Sequence, residues 1–251
     1  VTGGNKGIGY GIVKGLCEKF EGIVYLTARD PGRDSDCEYS EFSDDEIESV
    51  ECVSSDSSSR ASSSDESDNN NDDTPGPSKC ALTPHKLGLK PIFHQLDVTD
   101  QKCLDAFHDF IKKEHGGIDI LVNNAAIAYK SVPNIFVPGR GRSAKSGTHE
   151  QEGWQNSAYS VSKVGVSALS FIQQRAFIND PREDIVVNSV HPGYVDTDMT
   201  SHKGPLTIEQ GADAPVYLAL LPPAVTSPRG EYIWCNRDIV NWAKGPTPGP
   251  Y

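Results

Sequence analysis

The chain has 251 residues, 36% of them hydrophobic, and a formal net charge of -12. That length fits one α/β domain with a sizeable core. Residues 31–80 hold 15 of the 35 acidic residues and 3 of the 23 basic ones, so the rest of the chain is balanced at 20 of each and a basic nucleic-acid footprint is excluded. Val1 to Asp30 reads as a strand end, a glycine-rich turn, a helix and a second strand. Ile8, Ile12, Val13, Leu16 and Phe20 recur at helical spacing, and Ile23-Val-Tyr-Leu-Thr27 is a β-rich run. The strand that feeds the turn is cut to two residues and the only methionine is Met199, so the chain reads as a fragment or an incomplete gene product.

Residues 33–78 follow with fourteen serines, an acidic run and Asn69-Asn-Asn-Asp-Asp73. Almost nothing there can be buried, which predicts a disordered acidic insertion where a crossover helix should cover a sheet. Lys90 to Asp97 restarts as a strand. Leu104, Phe107, Phe110 and Ile111 mark an amphipathic helix introduced by Thr99-Asp100. Ile118-Asp-Ile-Leu-Val122 reads as a buried parallel strand ending in Asn123-Asn-Ala-Ala126, and residues 131–153 as a loop. Ala158–Ile178 is predicted helical, Ile185–Val190 a strand, Thr207–Leu221 a helix and Gly230–Trp234 a final strand. The alternation argues a Rossmann-like, doubly wound parallel sheet. Cys17, Cys37, Cys52, Cys80, Cys103 and Cys235 form no CxxC pair and read as free thiols. No apolar run approaches the ~18 residues of a membrane span, so a membrane partner is not expected and the cytoplasm is the expected location.

Gly3, Gly7 and Gly9 follow a strand and open a helix, the arrangement that lets backbone N–H groups approach a pyrophosphate. Ala28-Arg29 stands at the end of the second strand, twenty residues on. An acidic residue at Ala28 would bind the 2′-hydroxyl of NAD; Arg29, helped by Lys6, instead suits the 2′-phosphate of NADP(H), a surface arginine being the plainer reading. Tyr159 and Lys163 lie four apart, on one face of a helix. An ammonium there stabilises a phenolate, bringing a hydroxyl with a pKa near ~10 into range as a general acid.

Thr2-Gly-Gly-Asn-Lys-Gly-Ile-Gly9, Asn123-Asn-Ala-Ala126, Tyr159-x-x-x-Lys163 and Pro192-Gly193 together resemble the ordered signature of the short-chain dehydrogenase/reductase family. Within it the chain looks like the cytosolic NADPH-dependent carbonyl reductases, through Leu26–Asp30, Phe93–Asp97, Glu152-Gly-Trp154, Pro192–Met199 and Pro215–Pro223. The match covers residues 1–30, about 90–130 and 148–242 of what would be a single NADP-binding reductase domain, 1–251. The resemblance implies that Gly3, Asn5, Lys6, Gly7, Ile8, Gly9 and Arg29 hold NADPH, with Asp97 and Val98 bordering the adenine and Asn124 beside the ribose. It implies Tyr159 as proton donor to a small-molecule carbonyl substrate and Lys163 on the nicotinamide ribose. Pro192, Gly193, Val195 and Thr197 would contact the nicotinamide end, and Tyr194 and Met199 would line the substrate pocket. No metal is implied.

The family also brings a serine at the end of its fifth strand and an asparagine on the preceding helix. Only 32 residues separate Ala126 from Tyr159, and no strand followed by serine lies among them. Ser143, Ser146 and Asn134 sit in the 131–147 loop, where that helix and strand are expected to be missing. Splicing variation or a faulty gene model would explain the coincident losses. Ser43-Asp-Asp-Glu46 and Ser63-Ser-Asp-Glu66 look like acid-directed kinase sites, a solvated spacer being the alternative. The expected function is carbonyl reduction; the rival is a catalytically impaired NADP-binding or interaction protein.

Overall fold

The computed structural model describes residues 1–29, 91–127, 147–148, 151, 153, 157–182, 184–242, 244–245 and 248. Asp30, the acidic segment 33–78, Asn134, Ser143, Ser146, Glu152 and Trp154 lie outside the described residues. The chain forms two compact units, Val1–Ala125 and Ala126–Tyr251.

In the first unit α1 (Gly7–Lys19) leads to β1 (Tyr25–Ala28), and β2 (Ile92–Gln95) leads to α2 (Gln101–His115). β1 and β2 are parallel, with Tyr25 opposite Ile92 and Ala28 opposite Gln95. On the other edge of β1, the Thr27 N–H donates to the Val1 carbonyl and the Gly4 N–H to the Thr27 carbonyl. The Thr2 N–H then donates to the Val122 carbonyl at 3.0 Å. The order β2, β1, Thr2, Val122 is the 3-2-1-4 order of a doubly wound sheet.

Helical spacing places Ile12, Val13 and Leu16 of α1 in the core with Leu26 and Phe93. Helix α2 starts where the Asp100 side chain accepts the Lys102 N–H and stops at Gly116, whose φ of 75° suits a glycine. Phe107 and Phe110 of α2 flank the buried His94 ring at 4.7 and 4.8 Å.

The run from Ile118 to Val122, expected as a buried strand, is neither. Ile118 is 55% and Leu121 57% exposed, and no strand is formed there. Its backbone partner in this unit is the two-residue stretch Val1–Thr2, which supplies the single bond from the Thr2 N–H. One bond makes no ladder, and Ile118 and Leu121 stay in solvent while Ile120 and Val122 are half-buried.

The second unit contains α3 (Ala158–Phe177), β3 (Ser189–Val190), α4 (Ile208–Ala219), β4 (Tyr232–Ile233) and β5 (Ile239–Val240). β3 and β4 are parallel; β4 and β5 are antiparallel, so the sheet ends in a hairpin that the alternation did not predict. The expected strand Ile185–Val190 shrinks to its last two residues because side chains take the earlier backbone groups. Gln174 of α3, 5% exposed, donates from Nε2 to the Ile185 carbonyl at 3.1 Å and accepts the Val187 N–H on Oε1 at 2.6 Å. Asn188 likewise donates to the Pro228 carbonyl and accepts the Glu231 N–H. Helix α4 opens on a reciprocal cap between Thr207 and Gln210. Among the described residues no helix is long and apolar enough to cross a membrane.

Candidate active site

The first unit builds a closed glycine turn. Gly3 and Gly7 adopt φ of 62° and 52°, which only glycine takes without strain. Gly9 is a matter of space: a Cβ there would drive into the Gly3 carbonyl oxygen and the Asn124 amide. That amide donates from Nδ2 to the Thr2 carbonyl at 3.0 Å and the Gly3 carbonyl at 3.2 Å, so Asn124 is a strut of the turn.

Thr2, which sequence reasoning passed over, fastens the same place. Its hydroxyl accepts the Asn124 and Ala125 N–H groups, both at 3.0 Å, and donates to the Val122 carbonyl. One hydroxyl is thereby fully used. The signal was available: a threonine just before Gly-Gly, in a chain whose Asn123-Asn124 follows the apolar run Ile118–Val122.

Asn5 and Ile8 are half-buried and Lys6 is exposed at the start of α1, whose first turn carries no acidic residue and no side-chain cap. Arg29 is exposed directly after β1, and its carbonyl accepts the Gln95 amide at 3.0 Å. Asp97 accepts both the hydroxyl and the N–H of Thr99, at 2.7 and 2.8 Å. Those two bonds hold its carboxyl below the usual range, with a smaller pull from Arg29. Val98 beside it is exposed.

In the second unit Ser157 caps α3 by accepting the Ser160 N–H. Tyr159 and Lys163 fall on one face of this helix, the Lys163 Nζ lying 5.4 Å from the Tyr159 ring centroid. Lys163 keeps an exposed surface, yet partial burial lowers its pKa below the ordinary lysine value.

The segment Pro192–Met199 is anchored on Val195, 1% exposed, whose side chain occupies the space that a Cβ on Gly211 would need and whose backbone carbonyl occupies the space at Gly204. The Val195 carbonyl accepts the Thr200 hydroxyl at 2.7 Å. The Thr197 N–H donates to the same Thr200 hydroxyl. Tyr194 and Met199 stand on either side of Val195 with 42% and 40% of their surface exposed.

The sequence model of the short chain dehydrogenase family matches residues 74–137. Carbonyl reductase (NADPH) 1 of Rattus norvegicus is 32% identical over 96% of this chain and 97% of its own length. The protein of the same name from Homo sapiens is 31% identical with the same coverage. The chain belongs to the short-chain dehydrogenase family. Two solved structures share its fold. Salutaridine reductase from Papaver somniferum superposes with a TM-score of 0.61, at 20% identity over 92% of this chain and 97% of that one. The carbonyl reductase Sniffer of D. melanogaster does so with a TM-score of 0.56, at 15% identity over 96% and 97%. A short-chain dehydrogenase is an oxidoreductase, which is the class to which the Tyr159–Lys163 pair and the glycine turn pointed.

Proposed function

We propose that this short-chain dehydrogenase is an NADPH-dependent reductase of ketone, aldehyde or quinone carbonyls, with Tyr159 as the proton donor. The observation that carries the reading is the Lys163 ammonium standing over the Tyr159 ring on one face of α3. The names of the relatives support the cofactor and the reaction class.

The residues fit a dinucleotide. The uncapped first turn of α1, free of acidic side chains and built on a glycine turn without room for a Cβ at Gly9, suits a pyrophosphate. Gly3, Asn5, Lys6, Gly7 and Ile8 would surround it, and the Arg29 guanidinium would take the 2′-phosphate. Asp97 and Val98 would border the adenine, and Asn124 the ribose. Pro192, Gly193, the Val195 N–H and Thr197 would take the nicotinamide end, with Tyr194 and Met199 toward the substrate.

NADPH, when bound, supplies the hydride. Tyr159 holds the carbonyl oxygen by a hydrogen bond and passes its proton from Oη to that oxygen as negative charge builds there. The phenolate left behind is stabilised by the Lys163 ammonium. Because burial weakens the hold of Nζ on its proton, Lys163 is better able to share that proton with Tyr159. The cytoplasm is the proposed location. An acid-directed kinase is the proposed partner of Ser43 and Ser63, tested by mass spectrometry of phosphate on those serines.

The test of activity is NADPH oxidation with menadione, followed by absorbance, alongside cofactor binding followed by fluorescence. Turnover that vanishes in Tyr159→Phe while NADPH still binds supports the enzyme. NADPH binding without turnover in the parent chain sinks it and leaves the binding protein, the reading favoured by the sequence between Ala126 and Tyr159, in which no apolar run followed by serine is read.

A further inference from the structure

The backbone from His191 to Val195 is held at both ends. The His191 N–H donates to the Ile233 carbonyl at 2.8 Å, continuing the pairing of β3 with β4, and the Leu206 N–H donates to the Tyr194 carbonyl at 3.2 Å. Between these ties Gly193 takes a φ of 90°, and its N–H donates at 3.0 Å to the imidazole Nδ1 of His191, two residues earlier. The ring is itself fixed. It lies on the Trp234 indole with centroids 4.2 Å apart and planes 14° from parallel, and Trp234 is 9% exposed. An Nδ1 that accepts carries no proton, so the imidazole here is the neutral Nε2–H tautomer. Burial lowers the His191 pKa, which favours that form.

A peptide group is planar and trans, so its N–H and the preceding carbonyl point in opposite directions. Holding the Gly193 N–H against His191 therefore aims the Pro192 carbonyl away from His191. The Pro192 ring fixes its own φ but not the ψ about which this plane turns. Gly193, lacking a Cβ, would otherwise let that plane swing. The orientation of one acceptor in the loop thus depends on one side-chain nitrogen.

We propose that His191 is a positioning residue: its Nδ1 sets the Pro192–Gly193 peptide so that the Pro192 carbonyl faces the carboxamide N–H of the nicotinamide. This rests on the proposed function, in which that loop takes the nicotinamide end of NADPH. Trp234 serves the same end by holding the imidazole ring plane.

Two substitutions separate the acceptor from the ring. His191→Phe keeps a ring for Trp234 and removes the acceptor. His191→Asn places Oδ1 close to where Nδ1 stood and gives up the stack. In fluorescence titrations the dissociation constant for NADPH is expected to rise about fivefold to tenfold in His191→Phe, the worth of one hydrogen bond. In His191→Asn it is expected to stay within about twofold of the parent, even though that variant melts earlier. The fragment 2′,5′-ADP, which has no nicotinamide, should bind all three proteins alike. NADPH binding unchanged in His191→Phe, or weakened in His191→Asn as far as in His191→Phe, overturns the inference while leaving the cofactor reading intact. A parent chain that binds neither NADPH nor 2′,5′-ADP overturns the cofactor reading and this inference with it.

Discussion

Gln174 fixes α3, the helix that carries Tyr159 and Lys163, to the backbone leading into β3, and its removal should be felt across the second unit. Replacing it with leucine keeps the volume and deletes both polar contacts. The Val187 N–H then loses its 2.6 Å acceptor, and a buried donor left unpaired costs roughly 1–3 kcal/mol. The Ile185 carbonyl is less exposed to the loss, because an Arg229 N–H also reaches it at 3.3 Å; that side adds about 0.5–1 kcal/mol. A total of about 1.5–4 kcal/mol converts to a drop in Tm of about 3–16 °C for a chain of this size. Gln174→Glu should also lower Tm, because its carboxylate keeps the Val187 contact but sets an oxygen against the Ile185 carbonyl. Scanning calorimetry measures Tm, and hydrogen exchange at the Val187 amide gives a local check. A Gln174→Leu protein melting within about 1 °C of the parent, with Val187 still protected, would refute the reasoning.

Gly9→Ala forces a Cβ onto the Gly3 carbonyl and the Asn124 amide, so NADPH affinity measured by fluorescence should fall at least about tenfold; unchanged affinity would mean the turn does not hold the cofactor. His94 is buried between Phe107 and Phe110, and burial lowers its pKa. The folded state therefore disfavours the charged ring, so stability is full above the unfolded value near ~6.5 and declines as pH falls toward the lower folded value. Tm measured from pH 7 to pH 5 should drop, and drop less steeply in His94→Phe; an equal slope in both proteins would exclude His94 as the cause. The Ser189 hydroxyl is buried with no partner among the described residues, so Ser189→Ala should raise stability by about 1 kcal/mol in urea denaturation rather than lower it.

Much of the fold was legible because it rests on local rules. The cap at Asp100 and the caps at Thr207 and Gly116 sit where the residue types demand, and helices begin and end there. What escaped depends on partners distant in the chain. Ile118–Val122 has the composition of a buried strand, yet a strand needs a ladder, and Val1–Thr2 offers one bond. Helix α3 was legible as a helix but not in its orientation. It packs beside β3 and buries Ser167, Ser170 and Gln174, while Val164, Leu169 and Ile172 face solvent. The serine hydroxyls return to the carbonyls of Lys163 and Val166, which lets a polar face turn inward without orphaned groups. At the site, motif spacing pointed to the glycine turn and the Tyr159–Lys163 pair. It was silent on Thr2 and His191, whose roles rest on side chains bonding to backbone that spacing does not encode.

The anchoring of Val195 separates two demands that often conflict in an enzyme. The loop is pinned at its middle by a buried aliphatic side chain and the Thr200 hydroxyl, while Tyr194 and Met199 in the same segment keep about two fifths of their surface in solvent. Exchanging those two side chains should leave the melting temperature nearly where it was. If they meet the substrate as proposed, selectivity could drift from one class of carbonyl compound to another through substitutions that natural selection sees only through chemistry, with the fold left as a constant.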